Sequence, residues 1–215
     1  MSRYVIVDLE MCNVPTGKQT EDFQLKNELI QIGAVLLGDD LEICDSFMTH
    51  VSPEYGSVDA FIEKLTGITR EDTKEAPTAE QALCRFVEWM PDDAIPVSWS
   101  NSDEVQIRKE TESKGLNIPG LGEYLDRWVD CQKTFGEKMK SSRAYKLSEA
   151  LIIADIYYED GEHDALVDAR NTALLFAKME REPELKLSPY YTNEVKEPPR
   201  YNPFAALLKN TDFSD

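Results

Sequence analysis

Three stretches in the first fifty residues carry the apolar patterning of strands, at 4–11, 29–37 and 41–51. Gly38-Asp39-Asp40 separates the last two as a turn, which predicts an antiparallel meander. The first two are joined by a polar connection over 12–27, with Pro15 and Gly17, that is long for a hairpin loop. The period then changes. Ala79, Ala82, Leu83, Phe86, Val87 and Met90 recur at three- and four-residue spacing, so 78–90 reads as an amphipathic helix stopped by Pro91. A short apolar run over 95–99 reads as a strand with Pro96 near its start. Ser102 can cap a helix that continues to Lys114 and ends at Gly115. A fifth strand is expected over 128–131, then a short helix near Phe135, a helix over 147–156 and a long one over 164–180. Three strands ahead of the first helix predict an α/β domain built on a mixed five-stranded sheet flanked by helices, not an alternating all-parallel one.

The pattern fades after residue 180. Five of the eleven prolines (Pro183, Pro189, Pro198, Pro199 and Pro203) fall there, so the organisation reads as a domain over 1–180 and a Pro-rich tail over 181–215. In that tail Phe204, Leu207 and Leu208 sit at i, i+3, i+4, which suits one helical turn that packs back or meets a protein partner. With 215 residues, 41% of them hydrophobic, one domain with a sizeable core is expected.

Charge narrows the possibilities. Twenty-three basic against 41 acidic residues give −18, which argues against a broad electrostatic grip on nucleic acid or anionic lipid. The longest weakly polar run, 29–38, is too short for a membrane helix, and Asp8 and Glu10 interrupt what would be the apolar part of a signal peptide. Cys12, Cys44, Cys84 and Cys131 are far apart and form no CxxC pair, so neither a zinc site nor a disulfide framework is expected, and a reducing cytoplasm fits.

Three groups of residues carry chemistry. Asp8 and Glu10 are one residue apart in the first strand, so their side chains leave the same face, while Val5, Val7 and Leu9 leave the other. Carboxylates roughly 5–7 Å apart raise each other's pKa unless a cation intervenes, and a hard divalent ion is the natural one; a solvated strand end is the simpler alternative. Asp103 stands where the strand over 95–99 hands over to a helix, a position equally suited to capping. His163 and Asp168 are five apart, about 140° on a regular helix, so His163 is expected on the loop before the last helix, with Asp164 as cap and Asp168 one turn inside. His50, the other histidine, lies in a strand without acidic neighbours and reads as filler.

Together these stretches resemble the DEDDh 3′-to-5′ exonucleases of the RNase H-like fold. Val7-Asp8-Leu9-Glu10 is similar to the family's first motif, Trp99-Ser100-Asn101-Ser102-Asp103 to its second and His163-Asp164-Ala165-Leu166-Val167-Asp168-Ala169-Arg170 to its third. Glu28-Leu29-Ile30-Gln31-Ile32-Gly33-Ala34-Val35 and Leu65-Thr66-Gly67-Ile68-Thr69 resemble the subgroup of histone-mRNA 3′ exonucleases and bacterial sporulation-inhibitor exonucleases, with Ser100 where that subgroup commonly has glycine. The resemblance covers residues 3–180.

The resemblance implies that Asp8, Glu10, Asp103 and Asp168 hold two Mg²⁺ or Mn²⁺ ions, Asp8 bridging them, and that His163 is the general base. An imidazole, with an ordinary pKa of about 6.5, can take a proton from water near neutrality. The implied substrate is the 3′ end of single-stranded RNA, released as nucleoside 5′-monophosphates; a DNA-directed editing exonuclease and a protein-binding module with a vestigial metal site are the alternatives. The basic run over 138–146, with Lys138, Lys140, Arg143 and Lys146, is expected to meet substrate phosphates, and Met11 and Leu65 to stack or wedge against bases.

Overall fold

The computed structural model describes residues 3–19, 24–157, 161 and 163–192. Within these, the apolar runs pair into one sheet of five strands: β1 (Tyr4–Asn13), β2 (Asn27–Leu37), β3 (Ile43–His50), β4 (Ile95–Ser98) and β5 (Val129–Asp130), in spatial order β3-β2-β1-β4-β5. β1, β2 and β3 form the antiparallel meander, and β4 and β5 add to the other side of β1 in parallel. The meander's turn closes through Gly38 N–H to Glu42 O at 2.9 Å, and Leu41 adopts a left-handed backbone there (φ 62°), so β3 starts two residues later than the apolar run.

Alternation along β1 sends Val5, Val7 and Leu9 to one face, where they pack with Leu83 and Phe86 of α3 (Ala79–Trp89) and Ile107 of α4 (Ser102–Lys114). Ile6 goes to the other face, against Phe135, Leu151 and Phe176, carried by α6 (Cys131–Lys138), α7 (Leu147–Ile153) and α8 (Ala165–Arg181). Asp8 and Glu10 share the parity of Ile6, and so belong to the α8 side.

Three short helices lack a period long enough to be read from sequence: α1 (Ala60–Thr66), α2 (Arg70–Lys74) and α5 (Leu121–Leu125). Their caps define the first two. Asp59 accepts from the amides of Phe61 and Ile62, Gly67 ends α1 in the left-handed region (φ 74°), and Thr69 with Asp72 closes a capping box on α2. Asn101 occupies the cap position of α4 without a side-chain bond, so Ser102 is the first residue inside the helix and not its cap. The helix expected over 147–156 stops at Ile153, where Asp155 turns the chain with φ 55°.

The chain does not leave the domain directly after α8. Lys138 Nζ donates to the carbonyls of Glu182 and Pro183, Leu185 and Leu187 pack against the α6–α8 core, and Ser188 N–H bonds Ile153 O at 2.8 Å. Phe204, Leu207 and Leu208 lie outside the described residues. Among those described, no helix is long and apolar enough to cross a membrane.

Candidate active site

β1 and β4 pair only from Tyr4 to Ile6, so β1 runs on past the end of β4 and presents Asp8 and Glu10 beyond it. The ends of parallel strands in α/β sheets are where ligands bind, because the following loops diverge and leave a crevice. Here the crevice has a volume of about 600 Å³, and Asp8, Glu10, Asp103, His163 and Asp168 all line it.

Each acid is brought there by a different local device. Asp8 and Glu10 pair across β1–β2 with Gly33 and Gln31, and a register shift follows Glu10. Such bulges re-aim a strand next to a functional site. Asp103 follows β4 as the second residue of α4 and is buried; the Leu9 amide and the Ser102 hydroxyl bond it, while Ser98 Oγ donates to Ser100 O and accepts from Trp128 Nε1 at 2.9 Å. Asp168 comes from α8, whose start is seated on β2 by two contacts. Gln31 Oε1 accepts from Ala165 N–H at 2.9 Å, and Gly33 lies so close that a Cβ there would stand 2.3 Å from Ala165 C and Leu166 N. Only glycine permits that approach, and Gly33 is the partner of Asp8.

The start of α8 also positions the imidazole. Asp164 caps the helix by accepting from Leu166 and Val167 N–H at 2.9 and 3.2 Å. His163 stands just before it in a left-handed backbone (φ 72°), which costs a non-glycine residue roughly 1–3 kcal/mol, and its amide donates to Asp168 Oδ2 at 2.9 Å. Its exposed ring meets the acids: ligand atoms of Glu10, His163 and Asp168 lie within 4.8 Å of one another.

The electrostatics are those of an uncompensated site. Burial, then the charges of Asp103, Asp168 and Glu10, pushes the Asp8 carboxyl well above its usual range. Burial and the charges of Asp168 and Asp103 raise Glu10 to about 8, and burial raises Asp103 to about 7 against the bonds that favour its charged form. A donor set of four carboxylates, short of positive charge and rich in oxygen, is the chemistry that a hard divalent cation satisfies.

The expected substrate contacts divide. Met11 and Lys146 line the crevice; Leu65 does not, but is exposed on α1. Lys138 is turned to the carbonyls after α8, Arg143 is paired with Glu149 at 2.7 and 2.8 Å and stacked over Tyr145, and Lys140 is exposed away from the crevice. Sequence reasoning missed Gln132 and Ser148 on the crevice wall, and also Phe61, which like Leu65, one helical turn away, is exposed (67%) outside the crevice lining. An i, i+4 apolar pair on a helix of seven residues was the available signal for Phe61.

Known proteins are similar to this chain in sequence and fold. The family described as Exonuclease (RNase_T) matches residues 5–176. ERI1 exoribonuclease 2 of Danio rerio is 32% identical over 215 residues, covering 87% of this chain, which spans only 38% of that relative's length. DNA polymerase III subunit epsilon of Aquifex aeolicus is 31% identical over 181 residues, 82% of this chain and 79% of the relative. Among solved structures, the nuclease domain of 3′hExo, a DEDDh family member bound to rAMP, superposes with a TM-score of 0.72 at 25% identity, over 87% of this chain and 96% of that one.

Proposed function

This chain belongs to the exonuclease family, and from that premise we propose that it hydrolyses single-stranded nucleic acid from the 3′ end, RNA first, releasing nucleoside 5′-monophosphates. The observation that carries the reading is the meeting of Asp8, Glu10, Asp103, Asp168 and His163 in one crevice at the ends of β1 and β4. Membership of the family implies dependence on a divalent metal, and the four carboxylates fit one. We assign them two ions, Mg²⁺ or Mn²⁺. When bound, these would supply Lewis acidity at the scissile phosphate and ease ionisation of water.

The chain's own residues do the rest. His163 accepts the proton of the attacking water. The bond from its amide to Asp168 holds the loop while leaving the exposed ring free to reach the crevice. Gln31 and Gly33 keep α8 against the sheet, so that Asp168 stays beside Asp8. Met11 on the crevice wall, and Leu65 with Phe61 on α1, offer apolar faces to the terminal bases. Of the basic run, Lys146 supplies positive charge on the crevice wall, while Lys138, Lys140 and Arg143 lie outside the lining.

The RNA preference rests on the exoribonuclease relative. The epsilon-subunit relative, of similar identity, supports a second reading as a DNA-directed editing exonuclease. The stretch with Phe204, Leu207 and Leu208, beyond the residues that pack back on the domain, is assigned to contact with a protein partner, and the four unpaired cysteines suit a reducing compartment such as the cytoplasm.

Incubation of short single-stranded RNA and DNA ladders with the full chain, in Mg²⁺ and in chelator, tests this. Metal-dependent 3′ shortening is expected with RNA preferred, lost in Asp8→Ala and strongly reduced in His163→Ala with metal binding kept. No shortening by the wild type would leave the binding-module reading, and faster DNA cleavage the editing one.

A further inference from the structure

Within the described residues, Lys146 is the only lysine or arginine that lines the crevice. Its ammonium has no hydrogen-bond or ion-pair partner among them, whereas two of the other three cations of the same run, Lys138 and Arg143, are held by internal acceptors. A cation without a partner among the described residues, beside a group of acids, is unusual in a chain of net charge −18, where an acidic partner would be easy to supply.

Its backbone is fixed, although its side chain is not. The carbonyl of Tyr145 accepts from both Trp99 Nε1 at 3.2 Å and Gln132 Nε2 at 2.7 Å. The Tyr145 ring is buried edge-on against Phe135 at 5.2 Å. Two side-chain donors on one carbonyl lock the peptide that leads into Lys146. The lysine therefore projects from a rigid wall, with Gln132 and Ser148 beside it on the same lining.

We infer that Lys146, flanked by Gln132 and Ser148, is a subsite for one backbone phosphodiester of the substrate, the linkage immediately 5′ of the scissile one. This rests on the exonuclease reading and names what that reading leaves open. A strand whose 3′-terminal phosphodiester is at the carboxylates must pass along the crevice wall, and its next phosphate is the group of charge opposite to the ammonium within that space. The ammonium acts as a mobile point charge, suited to a phosphate whose position shifts as each nucleotide is removed. The other three cations lie outside the crevice and contribute only long-range attraction, which salt screens.

The test compares wild type, Lys146→Gln and Lys146→Arg on a 5′-labelled single-stranded oligonucleotide with Mg²⁺, following kcat and KM from about 50 to 200 mM salt. Lys146→Gln should raise KM about tenfold with kcat little changed. It should also flatten the dependence of log KM on log salt by about 0.7, one phosphate contact on a single strand, while Lys146→Arg stays near wild type. The melting temperature should not move, because no partner among the described residues is lost.

Substrates with a neutral methylphosphonate at successive linkages locate the contact. The neutral linkage just 5′ of the scissile bond should weaken the wild type and leave Lys146→Gln unaffected. Equal KM and salt slope in wild type and Lys146→Gln would overturn the inference, as would additive effects at every linkage. An inactive wild type would instead overturn the exonuclease reading itself.

Discussion

Two groups of acids, each drawn from the sheet and the helices packed on it, behave in opposite ways. Glu28 and Glu110 are fully buried and share Lys114, at 2.6 and 2.8 Å from its Nζ. Glu28 also accepts from the amides of Glu54, Tyr55 and Gly56, and Glu110 from Leu29 N–H and Gln106 Nε2. Burial pushes Glu28 up, but Lys114 and the amides outweigh it and hold the carboxyl below its usual range. In the crevice, burial raises Asp8, Glu10 and Asp103, neighbouring carboxylates raise the first two further, and among the described residues no lysine or arginine is ion-paired with any of the three. The fold neutralises acids where they serve structure. It leaves them short of charge where a cation from solution is to be bound.

Removing the internal cation should break the comparison most severely. Lys114→Met leaves Glu28 and Glu110 buried without a counter-charge, and unfolding experiments in denaturant should show a loss of about 3–5 kcal/mol. A loss below about 1 kcal/mol would mean that the network holds little together. Divalent-cation binding in the crevice should survive in the folded fraction, since the two groups share no residue.

A smaller effect sharpens the contrast. In the metal-free chain, Glu10 titrates near 8 and Asp103 near 7, above the ordinary 4.5 and 3.8. The native state therefore binds more protons than the unfolded one between these limits, and stability falls as pH rises from about 4 to 8. Melting temperatures in chelator should drop by several degrees between pH 5 and pH 8, and saturating Mg²⁺ should remove the drop. A metal-free melting temperature that rises with pH over that range would contradict the assigned charge balance.

Much of this was legible in the sequence because the relevant signals are local. The spacing of Asp8 and Glu10 put both on one sheet face, and the five-residue gap from His163 to Asp168 put the imidazole before the helix, as found. α4, almost wholly polar, was read from its ends, Ser102 and Gly115, whereas α3 had enough turns to show a period. α1 and α2, of seven and five residues, did not, and were written instead in their caps, Asp59 and the Thr69–Asp72 box. What no local pattern carries is the tertiary choice of partner. Lys138 and Arg143 look the same as Lys146 in sequence until the fold gives the first two internal acceptors. Likewise Gln31 and Gly33 read as ordinary strand positions until α8 is seated on them.

The most direct test of the central claim is calorimetric titration of the metal-free chain with Mg²⁺ and Mn²⁺ at pH 7.5, wild type beside Asp8→Asn. The account predicts saturable binding of two ions with proton release in the wild type. In Asp8→Asn that binding should be lost or greatly weakened, with the metal-free melting temperature unchanged or higher. A wild type that takes up neither ion, or an Asp8→Asn chain that binds both as tightly, would contradict it.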